Sequence, residues 1–448
     1  MATSRLLAAL LCAAPLVASA EAPLTLDEAL ALAARQNHDL VISKADAELA
    51  GADALGAWQG VLPRLDLTAG AGHQYSGATG AFTSYYGGVA VHQPATAASN
   101  QEAYSLNLTL NQPVVDLAAY RKLSQARASE RAADRTYAEA RLGVAFDVIR
   151  RFYELVKAER SLAVLEKAAQ RSQELVERSD ALFQAGRAQK VDTFSTRVNL
   201  GNDRIAVEQA RTRRVQARAD LATALGHPGD RDIQVQAPAE LEAPRAPSGE
   251  PPPMEALLTL ARQRRPSVAA AAAQVEAAEA GVAAAGAGYL PTLSAQATYG
   301  RQGPAASGAF GVFDDLGRAY STQIGLVLSW NVFAGRSTEA ALQRARLGAD
   351  KTQATAARTL DAVASEITTA RQTVVALTRQ VTLSADNLGA AEQGLALARQ
   401  RLEAGLASQL EVRDATLKLT QAELSLVQAR IDHAVATADL GRAVGGAL

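Results

Sequence analysis

Cysteine is almost absent from this chain of 448 residues: Cys12 is the only one. It lies in an apolar stretch, Leu6 to Val17, that follows Arg5 and precedes Ala18-Ser19-Ala20, the layout of a secretory signal peptide. Leu11, beside it, is not the small residue that a lipoprotein signal needs before its modified cysteine. Residues 1–20 are therefore expected to be cleaved off, leaving an exported chain without disulfides that must gain stability from length, packing or assembly. Aromatic residues make up 4% against 48% hydrophobic residues in all, so Ala, Leu and Val carry the apolar content. That favours helices in close small-residue contact over one large aromatic core. The 45 Lys+Arg nearly match the 46 Asp+Glu, a net charge of -1, so no basic excess exists to coat nucleic acid. No long hydrophobic run follows the signal. The best stretch, Ala280 to Gly300, is interrupted by Gly286, Gly288, Pro291 and Gln296, which excludes a spanning helix of about 20 apolar residues but leaves a barrel open. The five histidines (His38, His73, His92, His227 and His433) form no close ligand pair, and HExxH, P-loop, CxxC and GxSxG patterns are missing. No metal, cofactor or catalytic activity is expected.

What is present is repetition. Leu26-Asp27-Glu28-Ala29-Leu30 returns as Met254-Glu255-Ala256-Leu257-Leu258, and Gly60-Val61-Leu62-Pro63 returns as Gly288-Tyr289-Leu290-Pro291, both 228 positions on. Ala185-Gly186-Arg187-Ala188 returns as Ala404-Gly405-Leu406-Ala407 at an offset of 219, so a loop is shorter in the second half. The expected organisation is a first repeat over 21–226, a Pro-rich linker over 227–253 and a second repeat over 254–448.

Each half changes its hydrophobic period in the same order. Residues 26 to 60 read as helix. Leu65, Leu67, Ala69 and Ala71 then alternate with Asp66, Thr68, Gly70 and Gly72, the period of a strand. A polar loop is expected from Gly77 to Gln101, followed by a second alternating run through Tyr104, Leu106, Leu108 and Leu110. Leu293 to Tyr299 and Tyr320 to Trp330 repeat the pair. Each run is near the 9–11 residues with which a tilted strand crosses a bilayer. From Asp116 to Gln184, and from Ala334 to Leu402, proline is absent. Helices of roughly 100 Å are expected there at ~1.5 Å per residue. They turn at Gly186 and Gly405 and return over Val191–Leu225 and Leu410–Val444. Leu388, Ala391, Leu395, Ala398 and Leu402, and on the return Leu417, Leu424, Val427 and Ile431, have coiled-coil spacing.

Four strands cannot close a barrel, and an open edge in lipid leaves backbone groups unpaired. Assembly is therefore required: two copies supply eight strands with a plugged interior, and three supply twelve with room for a pore.

The duplicated plan, the Leu62-Pro63 and Leu290-Pro291 junctions, the Gln112-Pro113-Val114-Val115-Asp116 and Asn331-Val332-Phe333-Ala334-Gly335 exits, and the two glycine tips resemble TolC-like outer-membrane efflux proteins. The resemblance implies a mainly α fold with β: duplicated long helical hairpins plus four transmembrane strands, trimerising into a twelve-stranded barrel and a twelve-helix periplasmic tunnel, with the linker in the equatorial region. It implies a passive homotrimeric channel in outer-membrane lipid, serving tripartite efflux or type I secretion. A periplasmic adaptor and an inner-membrane pump are the implied partners. The rival expectation is a periplasmic coiled-coil adaptor or scaffold, which would carry one hairpin per chain beside a small β-rich domain.

The same resemblance places Glu411 and Asp414 as carboxylates ringing the periplasmic constriction, where such a ring would favour cations. Ser408-x-x-Glu411 is also a capping box, and the two readings are compatible. Asp414 lies a turn beyond the reach of capping. Asp192 stands where the family has an acidic partner for a gate-closing tether, although helix-start stabilisation is the slightly preferred reading. The tether's usual partners would fall at Leu402 and Ala407, which depart from the family pattern. Arg187 or Arg413 could substitute, or the gate could close by packing alone. The tips (Gly186, Arg187 and Ala188; Gly405, Leu406, Ala407 and Ser408) are candidate adaptor contacts as well as turns. Tyr85, Tyr86, Tyr104, Trp330 and Phe333 read either as interfacial aromatic bands or as ordinary strand packing.

Overall fold

The computed structural model describes residues 23–186, 189–227, 233–238, 241, 251–307, 311–314 and 320–446. The expected signal peptide, Arg187, Ala188 and most of the linker lie outside them. The elements in chain order are α1 (Leu26–Gln36), α2 (His38–Gly56), β1 (Arg64–Ser76), β2 (Phe82–Tyr86), β3 (Val89–Gln93), β4 (Ser99–Val115), α3 (Leu117–Gln184) and α4 (Lys190–Ala224). They continue with α5 (Met254–Arg264), α6 (Pro266–Gly286), β5 (Thr292–Gly303), β6 (Tyr320–Ser329), α7 (Ser337–Glu403) and α8 (Gln409–Val444). Among the described residues no helix is long and apolar enough to cross a membrane.

The residues form two compact units. The helical unit takes in the described residues up to Ile42, Ala140–Arg265 and Val363 onward. Its main core joins Ala29 and Ala33 of α1 to Val148, Phe152, Leu155 and Val156 of α3 and Leu221, Leu225 and Ile431. α1 starts on a capping box, Thr25 with Glu28. It ends at Asn37, where the expected single helix over 26–60 breaks in two. Asn37 has extended backbone, and its Nδ2 donates to the Ala224 carbonyl over 2.8 Å while its Oδ1 accepts from Leu40 N over 3.1 Å. The buried amide thus caps α2 and holds the end of α4.

At the end of α5, Arg265 does the corresponding work: its Nη1 donates to the Ala443 carbonyl over 2.8 Å. It is nearly fully buried, and the same guanidinium meets Glu366 at 2.6 Å. Arg442 also pairs with Glu366, and lies 5.0 Å over the Phe146 ring. Glycine is required beside both joints. A Cβ on Gly226 (φ +79) would lie 2.3 Å from the Gln36 carbonyl oxygen, and one on Gly445 (φ +101) would lie 2.8 Å from the Arg265 backbone.

α7 buries a stripe through Val363, Ile367, Ala370, Val374, Val381, Leu395 and Ala398, the alternating threes and fours expected of it. On α8 the expected stripe holds further along, where Ile431 is buried and Val427 and Ala434 pack against the main core, but is shifted near the tip. Val412, Thr416, Leu419 and Leu426 are inside, whereas Leu417 is 48% exposed. The side chains that meet Leu395 and Ala398 are Val412 and Leu419.

The strand-bearing unit comprises Ser43–Glu139 and Pro266–Ala362. Its sheet has the order β1-β4-β5-β6, all antiparallel, so β1 and β6 are its edges. On one face Leu65, Leu67 and Ala69 pair with Leu110, Leu108 and Leu106; on the other, Asp66 and Thr68 pair with Thr109 and Asn107. The polar loop expected over Gly77–Gln101 is instead a ribbon. β2 pairs with β3, and the Thr79↔Thr96 bridge links that pair to β1 and β4. From Arg64↔Asn111 to Tyr86↔Val89 the register never changes. Gly87 and Gly88, with φ +56 and +85, make the two-residue turn that such a hairpin needs. Tyr85 and Tyr86 consequently lie at the ribbon's tip, about 50 Å of strand beyond Tyr104 at ~3.3 Å per residue. Those two tyrosines cannot share a membrane-interface band with it.

Candidate functional site

The functional region that the sequence points to is the end of the two helical hairpins. α3 stops at Gly186 (φ +68) and α7 at Gly405 (φ +74), where the positive φ that ends each helix is open to glycine at no steric cost. Among the described residues no neighbouring atom approaches either position. Leu406 is 71% exposed and Leu410 77% exposed, so the second tip presents apolar side chains to its surroundings.

Ser408 caps α8, its Oγ accepting from Glu411 N over 3.3 Å. The Glu411 carboxylate does not close the box. It pairs instead with Arg401 of α7, which also reaches the Leu406 carbonyl over 3.4 Å. Asp414 pairs with Lys418 one turn on, at 2.7 Å. Glu411, Asp414 and Lys418 line one groove of about 600 Å³ between α7 and α8, with Leu397, Gln421 and Ser425. The two carboxylates therefore share a face, each with a cation beside it.

Asp192 is elsewhere. Its Oδ2 accepts from Gln189 N over 3.4 Å, the stabilisation of a helix start that its position suggested. It lines a second, smaller cavity of about 70 Å³ between the hairpins, together with Ser172, Asn199, Gln409 and Arg413. Arg413 shares that cavity but does not bond Asp192.

The partner of Arg413 is Asp203, which sequence reasoning missed. Nη1 meets Oδ2 at 2.7 Å and Nη2 meets Oδ1 at 3.0 Å. Nη1 also donates to Ser172 Oγ over 2.8 Å, and Ser172 in turn bonds Asp203. The side chains are only 12% and 17% exposed, so the pair is well shielded from water and salt. One residue from each of α3, α4 and α8 is thereby tied at one point. A second tie lies further along: Arg171 grips Glu423 at 2.8 Å and Thr420 at 3.2 Å. Leu402, at one position of the absent tether, packs with Leu175, Leu388 and Ala415 against the Val412 cluster.

Glu159 and His433 are two of the partly buried groups in the helical unit whose titration is shifted. Burial raises the Glu159 carboxyl, a rise that Arg218, Arg214 and Arg160 partly oppose. Burial lowers the His433 imidazole, which bonds Thr378 Oγ1 over 3.1 Å. Both lie far along the helices from the hairpin tips.

A profile of the family described as Outer membrane efflux protein matches residues 29–227 and 257–446. The chain is similar to Outer membrane protein TolC of Vibrio cholerae, with 23% identity over 399 residues, 86% of this chain and 82% of the relative. Its fold is similar to that of the Campylobacter jejuni CmeC outer membrane channel, with a TM-score of 0.77 and 18% identity, over 94% of this chain and 85% of that one. The outer membrane protein VceC of Vibrio cholerae gives a TM-score of 0.77 at 20% identity, over 94% and 96% of the two chains.

Proposed function

The chain belongs to the outer membrane efflux protein family, and from that premise we propose that it works as a passive homotrimer coupled to a periplasmic adaptor and an inner-membrane pump. It is an outer-membrane efflux channel, a transport protein and not an enzyme. The observation that carries the trimer is the sheet. Four strands with a polar and an apolar face end in two unpaired edges, β1 and β6. In lipid each unpaired backbone group costs several kcal/mol, so edges must meet edges of other copies. Three copies give twelve strands and an open polar interior. The family profile spans both strand pairs and both hairpins, which sets the adaptor reading aside.

Residues 21–226 and 254–448 are, on this reading, two copies of one unit joined by 227–253. The matching bonds from Asn37 to Ala224 and from Arg265 to Ala443 support it. Glu411 and Asp414 act at the periplasmic constriction. Arg413, Asp203 and Ser172 hold the hairpins together there, a task that falls to them because Leu402 and Ala407 cannot form the family's tether. The tips around Gly186 and Gly405 receive the adaptor, and the exposed Leu406 and Leu410 suit an apolar contact.

The test is biochemical. Outer-membrane fractions are expected to yield a trimer that conducts ions in planar bilayers. A soluble periplasmic monomer would overturn the proposal.

A further inference from the structure

The β1–β4 hairpin is far longer than a membrane crossing. Its bilayer portion ends where the apolar face does: Ala71↔Tyr104 is followed by His73↔Glu102. From His73 to the turn the ribbon continues for ~45 Å at ~3.3 Å per residue. β4 pairs with β5 only from Tyr104 onward, so among the described residues this extension is two-stranded. Isolated two-stranded ribbons are marginal in water.

Along this extension the two faces exchange character. Side chains alternate strictly in a ladder of fixed register, so the face of Asp66, Thr68, Asn107 and Thr109 is also the face of Phe82, Tyr86, Val89 and Val91. Those four are 59%, 77%, 65% and 40% exposed. The opposite face, apolar at the level of Leu65 and Leu67, becomes polar until its last pair, Tyr85↔Ala90. Thr79 bonds Thr96 on this face, and Thr83 Oγ1 lies 2.6 Å from His92 Nδ1. Within the bilayer the outward face meets lipid and the inward face meets water. Beyond it the outward face meets water, and apolar side chains are left on the inward one.

We propose that the apolar faces of these arms, one from each copy, pack against one another outside the membrane as a collar on the channel's exit. The occupant is a second copy of this chain, for two reasons. The arm continues directly from β1, the sheet edge that pairs with a sibling in the proposed trimer. In addition, residues 67–101 contain no Asp, Glu, Lys or Arg, so the arm lacks the charges with which edge strands repel one another. The inference rests on the trimer proposed above.

Site-directed crosslinking tests it, since Cys12 falls in the expected signal peptide and leaves a background without thiols. Ser84→Cys puts a thiol on the inward, apolar face beside Val91, and Ala90→Cys puts one on the outward face. Cells carrying each variant are treated with a short bis-maleimide, and outer-membrane trimers are purified and denatured. Ser84→Cys is expected to give at least ten times more covalent dimer than Ala90→Cys. Equal yields, or no dimer from either variant in an intact trimer, would overturn the collar and leave the channel reading standing. A preparation without trimers would overturn both.

Discussion

Arg413 and Asp203 face each other through two parallel hydrogen bonds of 2.7 and 3.0 Å, although 210 positions separate them in the chain. The geometry is the bidentate one for which guanidinium and carboxylate are suited. Removing one partner of such a shielded pair typically costs about 2–5 kcal/mol. Arg413→Ala and Asp203→Asn are therefore each expected to loosen the hairpins and raise single-channel conductance in planar bilayers. The exchanged pair, Arg413→Asp with Asp203→Arg, should restore the closed level in part. Unaltered conductance in both single variants would remove the tie from gating.

Glu411 and Asp414 each have a neighbouring cation, Arg401 and Lys418. Exposed pairs of this kind contribute about 0–1 kcal/mol, so the carboxylates stay available to ions in the pore. The double variant Glu411→Ala, Asp414→Ala is expected to lower cation-over-anion selectivity and relieve block by multivalent cations. Lys418→Gln should move selectivity the other way. Reversal potentials in a salt gradient measure both, and unchanged values would exclude a lumenal ring.

Gly226 and Gly445 sit where a methyl group cannot. Gly226→Ala combines a Cβ contact of 2.3 Å with a positive φ, so a large loss of assembled trimer is expected on gels run without heating. Gly186→Ala meets no neighbouring atom among the described residues, and its cost there is that of the left-handed backbone, about 1–2 kcal/mol. Trimer yield from Gly186→Ala should therefore stay near that of the unmodified chain.

His433 gives a pH dependence with a definite sign. Burial lowers its folded pKa below the ordinary value of 6.5, so the unfolded chain binds the proton more readily. Its contribution to stability is present above pH 6.5 and is lost as pH falls through that value towards the folded pKa. The helical melting temperature by circular dichroism is expected to drop between pH 7.5 and 5.5, and to drop less in His433→Asn. An identical drop in the variant would assign the effect to other groups.

Much of the fold was legible because it rests on local period. Proline-free stretches of threes and fours became α3 and α7, and alternating leucines became β1 and β4. The capping of α8 by Ser408 was legible for the same reason. The break at Asn37 was not, because it depends on a buried amide reaching Ala224, 187 positions away. Asp203 carries no local mark either. It sits in the middle of a helix, and only the packing of α3 and α8 beside α4 gives it partners. The arm read as a loop because Gly, Ala, Ser and Thr dominate it and hide a strand period that Phe82, Tyr86, Val89 and Val91 carry. The shifted stripe on α8 shows a further limit: Leu417 and Leu419 both fit a coiled-coil spacing, and only the facing helix selects between them.

The unbroken register of the β1–β4 hairpin also bears on the order of folding. Starting at Gly87–Gly88, each new pair adds to its predecessor without closing another loop, so the ribbon can zip on the microsecond scale of hairpins. Joining β4 to β5 instead spans a stretch of chain that includes both α3 and α4, and such distant contacts form slowly. Pulse-labelled hydrogen exchange during refolding should find amides of Tyr85 to Val91 protected before those of Thr292 to Tyr299. The opposite order would show that the tip waits for the sheet.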